Sequence, residues 1–394
     1  MQASAEFSRQ RAAFDERAFV RISVLCGATQ VFGMERMALA VARGLTRRGH
    51  TLQLLVSGWN DGDFIGRLRA SGIGCETIYL GKLSKVMKPQ SLWYTLMALA
   101  HLPGARRACR RYLRSFNPDV VFVYNRDWAL QVLGLLSEYN TIFHVQEAPP
   151  PTAWNSKLYT RVAASVKRFA AASGFIEQQL WKLGISTDQT ALIHDGVEDT
   201  EDHGAPSVTA RDATIGIVGQ IGSWKGHEDL LRALALLKEK GRRFRCEIIG
   251  SGDLAFVDRL KAQGSASGLD DCLEWRGYVR DASSMYGQLD IAVVPSRFDE
   301  PFGLVAVEAA LRRLPVVATR RGGLPEIIVD GETGFLVDAE NPQQLADRID
   351  DLLGDAQLLR RLGDSARSRA LAHFTAERMV SKLETLCEHL VSES

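Results

Sequence analysis

The stretch "SRFDEPFGLVAVEAA", Ser296–Ala310, follows an apolar run, "LDIAVVP", that reads as a buried strand, and it runs on into "LRR", which closes a helical pattern. A strand, a short loop and a helix in that order are one half of a β-α-β unit, and repeated units of this kind build a parallel sheet. The loop carries two carboxylates, Glu300 ahead of the helix and Glu308 inside its otherwise apolar length. Pro301 suits the first helical position, where its missing N–H costs nothing. The amides of Phe302, Gly303 and Leu304 then stand free at a helix start, an arrangement that holds anions. A phosphate cannot share that spot with Glu300, so Glu300 is expected to face a neutral group rich in hydroxyls, a sugar. Glu308 lies about 10 Å beyond Pro301 at roughly 1.5 Å per residue, where two ribose hydroxyls would satisfy it. The plainer reading has Glu300 capping the helix and Glu308 paired with Arg312, four residues on.

The same strand–loop–helix plan recurs on both sides of this segment. "FVRISVLCG" (Phe19–Gly27), "TLQLLVSG" (Thr51–Gly58), "PDVVFVYN" (Pro118–Asn125) and "TIFHVQE" (Thr141–Glu147) read as strands. "MERMALAVARGLTRRGH" (Met34–His50) reads as a helix with basic residues in its last turns, complementing the macrodipole. Around 198–211 the periodicity lapses into "EDTEDHGAPSVTAR", a linker. The plan then restarts with "ATIGIVGQ", "HEDLLRALALLKEK", "FRCEIIGSG" and "LPVVAT". The expected organisation is a tail over 1–18, a first Rossmann-like unit on the acceptor side over 19–198 and a linker over 199–211. A second, nucleotide-sugar-binding unit follows over 212–374, and a terminal helix over 375–394 crosses back to the first. Open α/β sheets bind ligands at the carboxyl ends of their strands, so the expected site is the cleft between the two units.

Bulk composition is consistent with this. The 394 residues suit two domains, and 46% hydrophobic and 24% charged residues mark a globular chain. A formal charge of +1 argues against a nucleic-acid binder. The six cysteines form no C-x-x-C pair, so neither a zinc site nor a disulfide framework is expected. No apolar run is long enough to span a bilayer, and the polar start has no signal-like core. A cytoplasmic location is therefore expected. From Thr77 to Pro118 there is no acidic residue, while Lys82, Lys85, Lys88, Arg106, Arg107, Arg110, Arg111 and Arg114 alternate with Leu92, Trp93, Tyr94, Leu96, Met97 and Leu99. Segment 82–114 can lie on the inner, anionic face of a membrane or form a solvated basic face beside the acceptor cleft.

The second half resembles glycosyltransferase family 4, retaining enzymes of the GT-B fold. The resemblance rests on "VGQIGSWKG" (Val218–Gly226), "IIGSGD" (Ile248–Asp253), "RGYVRD" (Arg276–Asp281), "PSRFDEPFGLVAVEA" (Pro295–Ala309), "PVVATRRGGLPEII" (Pro315–Ile328) and "GETGFLV" (Gly331–Val337), in the family's order and spacing. The first half is similar more loosely, through "GMERMALAVARGLTRRGH", "FHVQE" and "LIHDGVE". The resemblance implies a GT-B architecture of two doubly wound units and transfer of a sugar from a nucleoside diphosphate donor, with UDP the expected carrier. The acceptor would be a hydroxyl of a glycan or lipid-linked molecule. It also implies roles by position: Glu300 on the donor sugar, Lys225 on the diphosphate, the amides of Phe302, Gly303 and Leu304 on sugar and phosphate, and Glu308 on the ribose. Tyr278 and Val279 would frame the base, Gly33 would line the cleft from the first unit, and His144 would lie beside donor sugar and acceptor.

Two positions depart from the family pattern. Gln220 stands where an arginine normally shares the diphosphate with the lysine, leaving the site short of one cation unless another, such as Arg297, fills the role. Arg313 stands where glycine is usual at a helix end. No D-x-D motif suited to a metal is present; "DGD" at Asp61–Asp63 reads as a helix cap, so no cofactor and no obligatory metal are expected. Other readings are a non-catalytic GT-B partner, a sugar-nucleotide epimerase or phosphorylase, and a transferase acting on a small-molecule acceptor.

Overall fold

The computed structural model describes residues 19–27, 31, 33–81, 89–199, 212–279 and 282–393. The expected tail 1–18, most of the linker and Lys82, Lys85 and Lys88 lie outside the described residues. The first unit holds seven parallel strands: β1 (Arg21–Cys26), β2 (Thr51–Ser57), β3 (Gly74–Ile78), β4 (Val120–Val123), β5 (Asn140–Val145), β6 (Arg168–Ala171) and β7 (Thr190–Leu192), in the spatial order 3-2-1-4-5-6-7. The second holds six: β8 (Ala213–Val218), β9 (Phe244–Ile249), β10 (Leu273–Gly277), β11 (Ile291–Val294), β12 (Val316–Thr319) and β13 (Gly334–Val337), in the order 10-9-8-11-12-13.

These orders follow from the sequence pattern. Central strands are apolar on both faces, as a sheet covered by helices on both sides requires. In β1, Ile22, Val24 and Cys26 enter one core and Leu25 the other. Helix Gly33–Arg47 covers the first face, and helix Pro89–Phe116 covers the second through Ala105, Cys109, Tyr112 and Leu113. In both sheets the chain reverses its direction of winding between the first strand and the fourth, beside β1/β4 and beside β8/β11. Such a switch point opens a crevice at the carboxyl ends, because the loops on either side run to opposite faces. The segments singled out by sequence fall at these two crevices: Gly33 follows β1, Gln220–Lys225 follows β8, and Ser296–Gly303 follows β11.

The last helix, Ala376–Ser392, packs on helix Gly33–Arg47 and sends Met379, Val380, Leu383, Cys387 and Leu390 into the first unit's core. Its charged anchor is Glu384, buried between Arg48 and His50. His50 Nδ1 accepts from Val20 N at 3.2 Å, so Nε2 carries the proton and donates to Glu384 at 3.0 Å. Burial alone would raise the Glu384 pKa, but the hydrogen bonds from His50 and Arg48 outweigh it and hold it below the ordinary value of 4.5. A depressed carboxylate contributes stability above its unfolded pKa and loses it as pH falls through the folded one. Glu384→Ala is therefore expected to cost roughly 2 kcal/mol at pH 7. The gap between variant and wild-type melting temperatures should narrow as pH falls below about 4. A gap of the same size at pH 3.5 and pH 7 would contradict this anchor.

Candidate functional site

The donor helix starts later than the sequence pattern implies. It spans Leu304–Leu311, with Gly303 at its cap in a left-handed conformation (φ 122°). Pro301 stands three residues ahead of it, in a bend. The cause is local packing. The backbone of Gly322 and Gly323 lies directly on residues 300–302, so closely that a Cβ at Gly322 would stand 2.0 Å from Glu300 O. Gly323 N donates to that same oxygen at 2.8 Å. Phe302 is buried instead of lying open at a helix start, its ring 5.9 Å from His194 and 5.7 Å from Phe374.

Lys225 and Glu300, 75 residues apart in sequence, meet in the second crevice: Lys225 Nζ lies 2.5 Å from Glu300 Oε1. Ser296 Oγ donates to the same carboxylate oxygen. Glu300 does not cap the helix. Lys225 is aimed by a short 3-10 turn, Ser223–Lys225, closed by Gly226 in the left-handed region (φ 72°). Only glycine fits there, since a Cβ would stand 1.8 Å from Pro295 O. His227 follows, buried, and burial pushes its imidazole down to about 4, so it adds no charge beside Lys225 at neutral pH.

Glu308 is 1% exposed, and neither plain sequence reading describes its partners. Its Oε2 accepts from the Tyr286 hydroxyl at 2.7 Å, and its Oε1 pairs with Arg36 of the first unit. Burial, with the Glu308 carboxylate beside it, pushes the Tyr286 phenol well above its ordinary pKa, so it stays a donor. Arg312, expected to pair with that carboxylate, donates instead to the Glu308 carbonyl at 2.9 Å and lies 5.0 Å over the Tyr286 ring. The first unit reaches this helix at a second point, because a Cβ at Gly33 would lie 3.4 Å from Leu304 Cδ1.

Other expected residues are placed differently. Gln220 is exposed after β8. Arg297 is not available to replace a missing cation: it donates from Nε and Nη2 to Asp229 at 2.7 and 2.8 Å and from Nη1 to Glu228 at 2.6 Å. Tyr278, exposed, and Val279, half-buried, leave the carboxyl end of β10. His144 is 0% exposed inside β5, its ring 5.1 Å from Tyr124 and its Nε2 3.4 Å from Asp195, with neither nitrogen hydrogen-bonded. In this conformation it offers no surface to a substrate. Arg313 adopts φ 57° at the end of helix Leu304–Leu311, the conformation for which glycine is the usual choice, and ties itself to Asp364. The "DGD" segment opens its helix without the expected side-chain cap: the cap residue is Gly62 (φ 86°), while Asp61 accepts from Asp63 N at 3.0 Å and Asp63 pairs with Arg67 at 2.9 Å. Among the described residues no cluster of histidine, cysteine, aspartate or glutamate is arranged to hold a metal.

Sequence reasoning missed a clasp between the units. Glu326, in "GGLPEII", accepts from the amides of Gly174 and Phe175 at 2.8 Å each and from His194 at 3.0 Å. Burial works against the Glu326 charge, but these bonds hold its carboxyl below the ordinary value. Ser173 donates to Pro301 O beside it. Its own segment carried no signal of this, because the partners Gly174, Phe175 and His194 belong to the other unit.

Two doubly wound sheets facing across a cleft, with a lysine–glutamate pair at one switch point, define a GT-B glycosyltransferase. The sequence profile described as Glycosyltransferase Family 4 matches residues 31–201, and that described as Glycosyl transferases group 1 matches 199–369. The chain belongs to the GT4-type glycosyltransferases. It is 29% identical over 309 residues to a lipopolysaccharide core biosynthesis mannosyltransferase of Rhizobium leguminosarum bv. viciae, covering 78% of this chain and 85% of that one. It is 37% identical over 178 residues to a D-inositol 3-phosphate glycosyltransferase of Corynebacterium diphtheriae, a match spanning 44% of this chain and 41% of the relative. In fold it is similar to a glycosyltransferase from Rickettsia africae (TM-score 0.79, 23% identity, 95% of this chain and 100% of that one). It is also similar to Anabaena HepE in complex with UDP and glucose (TM-score 0.76, 19% identity, 93% and 99%).

Proposed function

We propose that this glycosyltransferase moves a sugar from a nucleoside diphosphate donor, UDP being the favoured carrier, to a hydroxyl of a glycan or lipid-linked acceptor with retention at the anomeric carbon. The observation that carries this reading is the meeting of Lys225 and Glu300 at the carboxyl end of β11, beside the first turn of helix Leu304–Leu311. As the glycosidic bond breaks, negative charge grows on the leaving diphosphate. A fixed ammonium and helix-end amides stabilise that charge more in the transition state than in the ground state. Glu300 then turns to the sugar hydroxyls and Glu308 to the ribose. Among the described residues no side chain stands as an obvious nucleophile, which favours attack by the acceptor hydroxyl on the face the phosphate leaves.

For the acceptor, His144 carries two ring nitrogens without hydrogen bonds, Nε2 standing 3.4 Å from Asp195, and it would meet a hydroxyl after a rearrangement of the first unit that uncovers the ring. Helix Pro89–Phe116 has 28 residues, about 42 Å of length, far more than the five-residue β3 it contacts. Its first half exposes Trp93, Leu96 and Leu99, and its second half exposes Arg106, Arg107, Arg110, Arg111 and Arg114. That surface suits an acceptor carried on an anionic membrane, to which the enzyme would bind peripherally. Among the described residues no helix is long and apolar enough to cross a membrane.

The diphosphate is assigned to a lysine and amides, so EDTA should leave the transfer rate within about twofold, and the product's anomeric proton should show the donor's configuration by NMR. An inverted product, or a strict need for Mn²⁺ or Mg²⁺, would overturn this charge assignment.

A further inference from the structure

Resting on the donor-site reading above, we propose that Arg36 is a diphosphate ligand: paired with Glu308 in this conformation, it moves to the phosphates when a ribose takes its place on that carboxylate.

The second crevice holds Lys225 and Glu300 as a neutral pair, and Glu308 adds a buried negative charge. Without Arg36, a diphosphate would approach a site that is net negative. Gln220, exposed at the end of the strand that leads to Lys225, brings no charge. Arg297 is spent on Asp229 and Glu228. His227 is neutral, its imidazole buried. The cation that balances Glu308 comes from the other unit. Arg36 keeps 39% of its side chain exposed, while the carboxylate it holds is 2% exposed.

Geometry adds a second line. Glu308 lies four residues beyond Leu304, one helical turn or about 6 Å from the helix start where the phosphates would sit. Gly33 and Arg36 occupy the first turn of their own helix, and that turn faces Leu304 so closely that a Cβ added at Gly33 would lie 3.4 Å from Leu304 Cδ1. Arg36 thus stands beside both positions, within the swing of one arginine side chain. Glu308, covered by Arg36 and Tyr286, cannot meet a ribose until one of them yields. Tyr286 is fully enclosed and cannot leave; Arg36, on the cleft side, can. Released from Glu308, a guanidinium in a partly closed cleft binds phosphate oxygens in its forked geometry.

The test is calorimetric binding of UDP, with GDP and ADP in parallel and the free nucleosides as the arm without phosphates. Arg36→Met should weaken diphosphate binding about tenfold and nucleoside binding less than twofold, with Arg36→Lys in between. The loss should persist in a Glu308→Gln background, where the parking partner is no longer charged. Gln220→Arg should restore binding to Arg36→Met while improving the wild type less than twofold. If Arg36→Met binds the diphosphates as well as or better than wild type, or loses diphosphate and nucleoside equally, Arg36 is a latch or a structural residue and the proposal fails. Lys225→Ala separates this from failure of the site itself. If it weakens diphosphate binding while Arg36→Met does not, only the role of Arg36 is lost. If neither does, the donor site is elsewhere and the proposal fails with it. Melting curves verify folding, and Arg36→Lys with its Gln220→Arg partner carries the test if Arg36→Met unfolds.

Discussion

Lys225→Ala is expected to lower the rate of sugar transfer by about 10²–10³, the usual cost of removing one donor from a site where negative charge develops. The structure sharpens the reason. Lys225 Nζ is held at 2.5 Å from Glu300 by a glycine-closed turn, so its charge is in place before substrate arrives and needs no reorganisation at the moment of bond breaking. Because the interaction strengthens as the diphosphate departs, the loss should fall mainly on kcat, with KM for the donor changing less. Initial rates across donor concentrations measure both. A variant whose kcat is unchanged would remove Lys225 from the chemistry.

Glu300→Ala should abolish detectable transfer while leaving the fold intact. Its carboxylate bonds Lys225 and Ser296, and its side chain lies on the crevice, 13% exposed, outside the four apolar clusters of the two sheets. Removing it frees Lys225 but takes away the group assigned to the sugar hydroxyls, so the sugar loses its orientation relative to the acceptor. The melting temperature should shift by no more than a few degrees. Full activity in the purified variant would dismiss Glu300 as a ligand, and gross unfolding would mean that its place is structural.

The doubly wound architecture was legible because central strands such as β1, β8 and β11 are apolar on both faces and follow one another at helix-length intervals. Edge and short strands left less trace. β3 reads "GCETI" and β10 "LEWRG", half polar because one flank of each meets solvent, and β6 and β7 have only four and three residues. In the site, Lys225 and Glu300 were legible through motif and position. The partners of Glu308 were not, since Arg36 is 272 residues away and no periodicity links the two. The start of the donor helix was misplaced because a proline followed by apolar residues has the pattern of a first turn. The backbone of Gly322 and Gly323, which blocks helix there, comes from another loop. The clasp at Glu326 was hidden for the same reason, its amide partners belonging to Gly174 and Phe175 in the other unit.

The central claim is that the loops after β8 and β11 form one site for a nucleoside diphosphate sugar. It is tested most directly by incubating the wild-type chain, Lys225→Ala and Glu300→Ala with a panel of UDP-, GDP- and ADP-sugars and measuring the nucleoside diphosphate released. The account predicts release by the wild type from at least one donor and a loss of about 10²-fold or more in both variants. Release from no donor, or release that both variants sustain at the wild-type rate, would contradict it.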